Sequence, residues 1–362
     1  MNLNESDLKG RFNMRAINVE ELKTGMRIAR SIYDDTGRVL LSAGIVLNSL
    51  YINKLTSMGI PFVYVEDEIV GRLDVEPIIK EEVKLQTVKA VKDVVKSASV
   101  QNQIDITPVS NMVNEIMDEL KGASKVLFQL VEPSKADAFL YSHSVGVCVL
   151  SLLTGKELGL DELKLKTLGL GAILHDIGKS VDPGPDHTSK GFELLRANRA
   201  FSILIAHTAF QHHERFDGTG YPRQIKGEEI HLYAAITSIC NDYYNLVNHP
   251  DKRLRIYPHQ ALEKILAESG KAYNPEIIGA FSTNIAPYPV GATIRLNNGV
   301  IGVVIEVTRE FPTRPLIKII TNEKGILQKD FPELDLSKDF GLCITEVISE
   351  QERRKLAEIN PA

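Results

Sequence analysis

From about Ser124 to Phe281 the chain reads as almost continuous helix, yet its most apolar stretches run into histidine and aspartate. "GAILHDIGKS" (171–180) sets an apolar run against His175 and Asp176, with Lys179 just beyond. "QHHERFDGTGYP" (211–222) adds His212, His213 and a glycine-rich turn. Buried charge without a partner is costly, so ionisable groups flanked by apolar helix call for compensation. Imidazole nitrogen and carboxylate oxygen are ligand types for iron, manganese, zinc and nickel, and a bound cation supplies that compensation. His143, His187 and Asp242 are further candidates of the same chemistry in the same region. The pattern constrains the middle of the chain to a helical bundle whose ligands point inward.

On a helix, adjacent pairs such as His175-Asp176 and His212-His213 diverge by about 100° and would serve two neighbouring metals rather than chelate one. Asp176, with two oxygens, suits a bridge. Two metals about 3.5–4 Å apart clamp a phosphodiester and activate a shared water for in-line attack. Lys179 falls one turn beyond His175 and is placed to neutralise phosphate as a point cation. The Gly218–Gly220 turn lets backbone amides approach a ligand, and Tyr221 offers a face to stack on a base or to brace the loop. Singly these signals are weak: a His-Asp dipeptide is commonly a cap, and paired histidines often end helices. His207, His231, His249 and His259 read as core, cap or surface residues. The combination carries the argument, because the ligand types recur where the helices are apolar.

A length of 362 residues suggests two or three domains. A formal net charge of −5 argues against a nucleic-acid polymer as partner, though not against one phosphate ligand in a local basic pocket. Cys148, Cys240 and Cys343 are far apart, form no CxxC pair and read as small core hydrophobes. The N-terminal stretch has no apolar signal core, and no run approaches the roughly 18 apolar residues of a membrane span, so a cytoplasmic protein is expected.

The expected fold is mainly α: a central helical bundle between a small α+β N-terminal domain and a small β C-terminal domain. Residues 1–13 read as a disordered tail. Residues 14–70 carry a hairpin turning at Asp35-Thr36-Gly37, a helix capped by Asn48 or Ser49 and stopped by Gly59, and the strand "IPFVYVED". Residues 71–125 read as a helical connector, with Val83, Val88, Val91, Val94 and Val95 at helical spacing and a homodimer contact over 78–100. The bundle is expected over 126–285. A β domain follows at 286–348 with a turn at Asn298-Gly299, then a charged tail at 349–362.

"HDIGK", "HTSKGFELL", "HHERFDGTGYP" and the helix with "ICNDYYNLV" together resemble the HD-GYP family of metal-dependent phosphodiesterases, over about residues 126–285. The resemblance implies hydrolysis of cyclic di-GMP to linear pGpG by a two-metal-activated hydroxide. It implies metal ligands at His143, His175, Asp176, His187, His212, His213 and Asp242, and two divalent ions, iron or manganese. It makes Asp176 and Lys179 catalytic, with Lys179 also contacting phosphate, and Gly220, Tyr221 and Pro222 the signature loop. Arg253 or Arg255 would match the family's phosphate-binding arginine. Three departures stand out. Phe139 replaces the glutamate that holds a third metal in some members, which favours a binuclear site and slow onward cleavage to GMP. Eleven residues separate His175 from His187, fewer than in many members. Asn245 replaces the second Asp of the family's DxxDAL phrase. Two alternatives accompany this reading: a low-turnover receptor that binds cyclic di-GMP and signals through its end domains, and a hydrolase of another cyclic dinucleotide.

Overall fold

The computed structural model describes residues 14–33, 38–66, 78–101, 105–122, 139–198, 202–353 and 355, save single positions at 59, 61, 250, 329 and 350. The expected 1–13 tail, the Asp35-Thr36-Gly37 turn, the Gly59 stop and much of the 349–362 tail lie outside these residues. The chain divides into two compact units, one of residues 78–124 and 137–285, the other of the remaining segments.

The first of these units is helical. α2 (Glu81–Gln101) and α3 (Thr107–Gly122) pack together and against α4 (Phe139–Glu157) and α5 (Glu162–Ile173). α6 (His187–Ala197), α7 (Ile203–Gln211), α8 (Leu232–Asn248), α9 (Pro258–Ala267) and α10 (Pro275–Ser282) follow. α4 is the central rod. It is buried on every side from Ser142 to Gly155 and contacts α2, α5, α8 and α10. A helix apolar all round has no solvent face, and "SVGVCVLSLL" reads that way. Local chemistry sets the starts of its neighbours. Asp161 caps α5 through Lys164 N, Ser202 caps α7, His231 caps α8, and proline opens both α9 and α10. α2 turns Val88, Val91, Val94 and Ala98 inward, so this apolar stripe is buried within its own chain.

The second unit holds two β structures. β1 (Met14–Asn18) pairs antiparallel with β4 (Phe62–Glu66), and β2 (Ile32–Tyr33) with β3 (Val39–Leu41). α1 (Ser49–Ser57) is capped by Asn48, whose side chain accepts from Tyr51 N. Ile17, Ile28, Leu47, Leu55, Val63 and Val65 share its core. The C-terminal part is a five-stranded antiparallel sheet in the order β8-β7-β6-β5-β9, from β5 (Thr293–Leu296), β6 (Ile301–Glu306), β7 (Leu316–Thr321), β8 (Glu333–Asp335) and β9 (Ile344–Val347). The expected Asn298-Gly299 turn joins β5 to β6, with Gly299 at φ 88°. Cys148 and Cys240 are buried as expected. Cys343 is exposed, because it falls in the turn before β9 rather than within a strand.

Candidate metal centre

Six of the expected ligands converge in the middle of the helical unit, five of them at helix ends. His143 lies on α4. His175 and Asp176 follow the C-terminus of α5, His187 opens α6, and His212 and His213 follow α7. Neither adjacent pair lies within a helix. Both sit in the turn just after one, where the backbone changes direction and lets consecutive side chains enter one site. The short connection after Asp176 passes close to α6: a Cβ on Gly178 would lie 1.9 Å from the His187 carbonyl oxygen, so only glycine permits this approach.

Three of the imidazoles are held by one device. His175 Nδ1 lies 2.7 Å from Ala172 O, His187 Nδ1 2.7 Å from Gly184 O, and His212 Nδ1 2.8 Å from Ala209 O. A carbonyl oxygen only accepts, so each Nδ1 carries a proton and each ring turns its Nε2 inward. Those nitrogens then face one another. His143 Nε2 and His175 Nε2 are 3.3 Å apart, and His187 Nε2 and His212 Nε2 3.4 Å. Burial, with His175 beside it, pushes His143 down to about 3 against the pull of Asp176 and the Asn241 amide. Burial likewise lowers His212 to about 4 and depresses His187 and His213. Burial therefore disfavours the charged forms of His143, His187, His212 and His213, and nitrogens gathered at such distances suit a shared cation.

Asp176 sits between the two groups. Oδ2 is 3.3 Å from His175 Nε2 and 3.7 Å from His143 Nε2, while Oδ1 is 3.5 Å from His187 Nε2 and 3.6 Å from His212 Nε2. Burial pushes this carboxyl up, but His175, His212 and Lys179 outweigh it and hold it well below the usual carboxylate range. Lys179 Nζ lies 2.6 Å from Oδ2. Asp176 Oδ1 and His143 Nδ1 are buried without a hydrogen-bond partner. Two sets of ligand atoms each gather within 4.8 Å: His187, His212 and His213, and His143, His175 and Asp176. Inward-facing imidazole nitrogens, an ionised carboxylate and an orphaned oxygen fit a divalent metal.

Comparison with known proteins agrees with this geometry. Residues 140–246 match the HD domain, and residues 293–356 the KOW domain associated with HD domain. The matched stretch contains the paired ligands just described and the HHExxDGxGYP phrase at 212–222. Over this stretch the chain is similar to HD domains and bears an HD-GYP-like signature. It is similar to a protein of Pseudomonas aeruginosa named a cyclic di-GMP phosphodiesterase, at 30% identity over 253 residues, covering 65% of this chain and 61% of that one. A protein of the same name from Thermotoga maritima is 32% identical over 163 residues, 40% of this chain and 44% of the relative. A 3'3'-cGAMP-specific phosphodiesterase of Vibrio cholerae is 28% identical over 163 residues, 40% of this chain and 35% of the relative. The chain thus spans less than two thirds of the length of each.

In the helical unit the signature loop packs against the three-histidine group. Tyr221 stacks on His213 with ring centroids 4.7 Å apart and planes at 15°, and its N–H donates to His213 O. One face of the Tyr221 ring is therefore spent on bracing the loop. Gly220 passes so close to the chain that a Cβ would lie 2.3 Å from Arg215 N and 2.5 Å from His213 O. The loop is strapped from outside by Phe216 N to Ala272 O and Asp217 N to Lys271 O, and from within by Arg223 N to Glu214 Oε1.

Asp242 does not join either ligand group. Its Oδ2 accepts from Tyr273 Oη at 2.6 Å and pairs with Arg215 Nη2 at 2.7 Å, while Oδ1 accepts from Asn241 Nδ2 at 3.1 Å. All of its near oxygens are committed to anchoring the signature loop, through Arg215, to α8 and α10's leading turn. The α8 residue that turns toward the histidines is Asn241, which is buried and acts on His143, followed by Tyr244, whose ring packs edge-on against His143 at 5.1 Å. Sequence reasoning passed over Asn241, Tyr244, Arg215 and Tyr273. The available signal was an amide, Asn241, inside the apolar helix "TSICNDYY". The two candidate arginines also separate. Arg253 is exposed and fully engaged with Asp251, whereas Arg255 is half-buried, donates Nε to His249 O and interacts with Tyr244. Phe139 stacks beside His143 with centroids 5.6 Å apart, a contact that supplies no ligand.

Proposed function

We propose that the chain is a metal-dependent phosphodiesterase that hydrolyses cyclic di-GMP to linear pGpG. The observation that carries this reading is the set of inward-facing imidazole Nε2 atoms around both oxygens of the Asp176 carboxylate. The relatives' names supply the substrate. His143, His175, Asp176, His187, His212 and His213 hold two divalent ions, iron or manganese. Metal bound there would act as a Lewis acid on a phosphodiester and lower the pKa of water.

The chain's own residues do the rest. The Nδ1–carbonyl bonds fix His175, His187 and His212, so these three rings need little reorganisation on binding. Lys179, a third exposed, swings from Asp176 to the substrate phosphate, and Arg255 approaches the same pocket from the α8–α9 connection. Gly220 and the free face of Tyr221 border the base. No described helix is long and apolar enough to cross a membrane.

A second reading, a receptor of low turnover, draws on Lys179 being locked to Asp176 and on the neutral Asn241 in the ligand cluster. A third, a different cyclic dinucleotide, draws on the Vibrio cholerae relatives. Incubating anaerobically purified protein with cyclic di-GMP, 3'3'-cGAMP and cyclic di-AMP separates all three. Preferential release of pGpG is expected. Tight binding without turnover would establish the receptor, and faster cleavage of 3'3'-cGAMP the third reading.

A further inference from the structure

The two ligand groups are built unequally. One gathers three imidazoles, His187, His212 and His213, beside Asp176 Oδ1, an oxygen with no hydrogen-bond partner. The other has two imidazoles, His143 and His175, beside Asp176 Oδ2, which Lys179 already occupies at 2.6 Å. On α8, Asn241, a buried neutral amide, interacts with His143 of this second group. Its own polar atoms are taken: Oδ1 accepts from Asn245 Nδ2 at 3.2 Å and Nδ2 donates to Asp242 Oδ1. Asp242, the acid one residue on, is turned away and neutralised by Arg215.

Charge makes this asymmetry matter. Two divalent ions bring four positive charges to a site where Asp176 is the one carboxylate in the described ligand groups. Affinity at oxygen and nitrogen sites rises with the number of anionic ligands, and a second ion meets both the first ion and Lys179. We infer that the two halves of the site bind metal in sequence: the His187/His212/His213 half tightly, the His143/His175 half weakly, with Asn241 setting the weaker affinity. This rests on the metal-site reading above. It makes the fully loaded state responsive to free metal concentration, because the second position fills last and empties first.

The test is titration of metal-free protein with Mn2+, following the free ion by electron paramagnetic resonance, with no substrate present. The wild type should bind in two steps separated by about tenfold or more. His143→Ala should remove the weak step and leave the tight one, and His187→Ala should remove the tight one. Asn241→Asp should tighten the weak step about tenfold or more while moving the tight step little. It should also lower the melting temperature of the metal-free protein, because the new carboxylate lies against Asp242. Two equal sites in the wild type, loss of the tight step in His143→Ala, or an unmoved weak step in a folded Asn241→Asp would each overturn the inference. A wild type that takes up no Mn2+ at all would overturn the metal-site reading itself, a separate and recognisable result.

Discussion

Asp176 and the imidazoles around it make the site sensitive to protons as well as to metal. His143 and His212 titrate at about 3 and about 4 in the folded chain because burial disfavours their charged forms. An unfolded histidine titrates near 6.5, so below that pH the unfolded chain takes up protons that the folded one does not. Asp176, held low in the fold, acts with the same sign at lower pH. Their stability is therefore present above about pH 6.5 and lost as pH falls through the folded values, by about 1.4 kcal/mol per pH unit for each group inside its window. Melting of the metal-free protein should fall steeply between pH 6.5 and 4; a flat profile would mean that these rings are not buried neutral. The candidate ligands that the fold gathers were conspicuous in the sequence because histidine and aspartate stand beside apolar helix. The role of Asp242 was not. One step of helix, about 100°, decides whether Asn241 or Asp242 faces the site, and that register is set by Arg215 and Tyr273, which are remote in the chain.

At the scale of elements, caps and turns were readable because their causes are local. Asn48 caps α1 and Asn298-Gly299 turns β5 into β6, as the residue types require. The placing of His175 and His212 after helices rather than within them was not readable, since it depends on where α5 and α7 stop. The signature loop is the element most exposed to small changes. Gly220→Ala would push a methyl into backbone atoms of Glu214 and Arg215 that have no room to yield. It should cost about 1–3 kcal/mol and loosen the Tyr221–His213 stack, seen as a lower melting temperature together with lost hydrolysis. The connection after α8 carries a second prediction. Arg255→Ala should raise KM roughly tenfold, the loss of one charged hydrogen bond, while Arg253→Ala should leave KM within about twofold. The reverse ranking would place the phosphate contact on the exposed arginine.

At the scale of the whole molecule, both candidate ligand groups lie in the helical unit, and among the described residues none from 286 onward joins either. Mainly-α architecture with a small C-terminal sheet was legible from periodicity, because burial on one stripe or one face imposes it. Metal that binds the folded helical unit alone stabilises it by mass action, about 2.7 kcal/mol at a hundredfold excess over Kd. Calorimetry with and without a chelator should therefore move the melting of the helical unit and leave that of the β unit in place. A common shift of both would mean that metal binding is coupled across the chain.

We propose that a metal site built around Asp176 hydrolyses cyclic di-GMP. Metal content and cyclic di-GMP turnover, measured on the same anaerobically purified samples of wild type and Asp176→Asn, test it most directly. The wild type should carry metal and release pGpG, while Asp176→Asn, with its helical signal intact, should lose most of its metal and its turnover together. Hydrolysis that persists in a metal-depleted Asp176→Asn protein would contradict the claim.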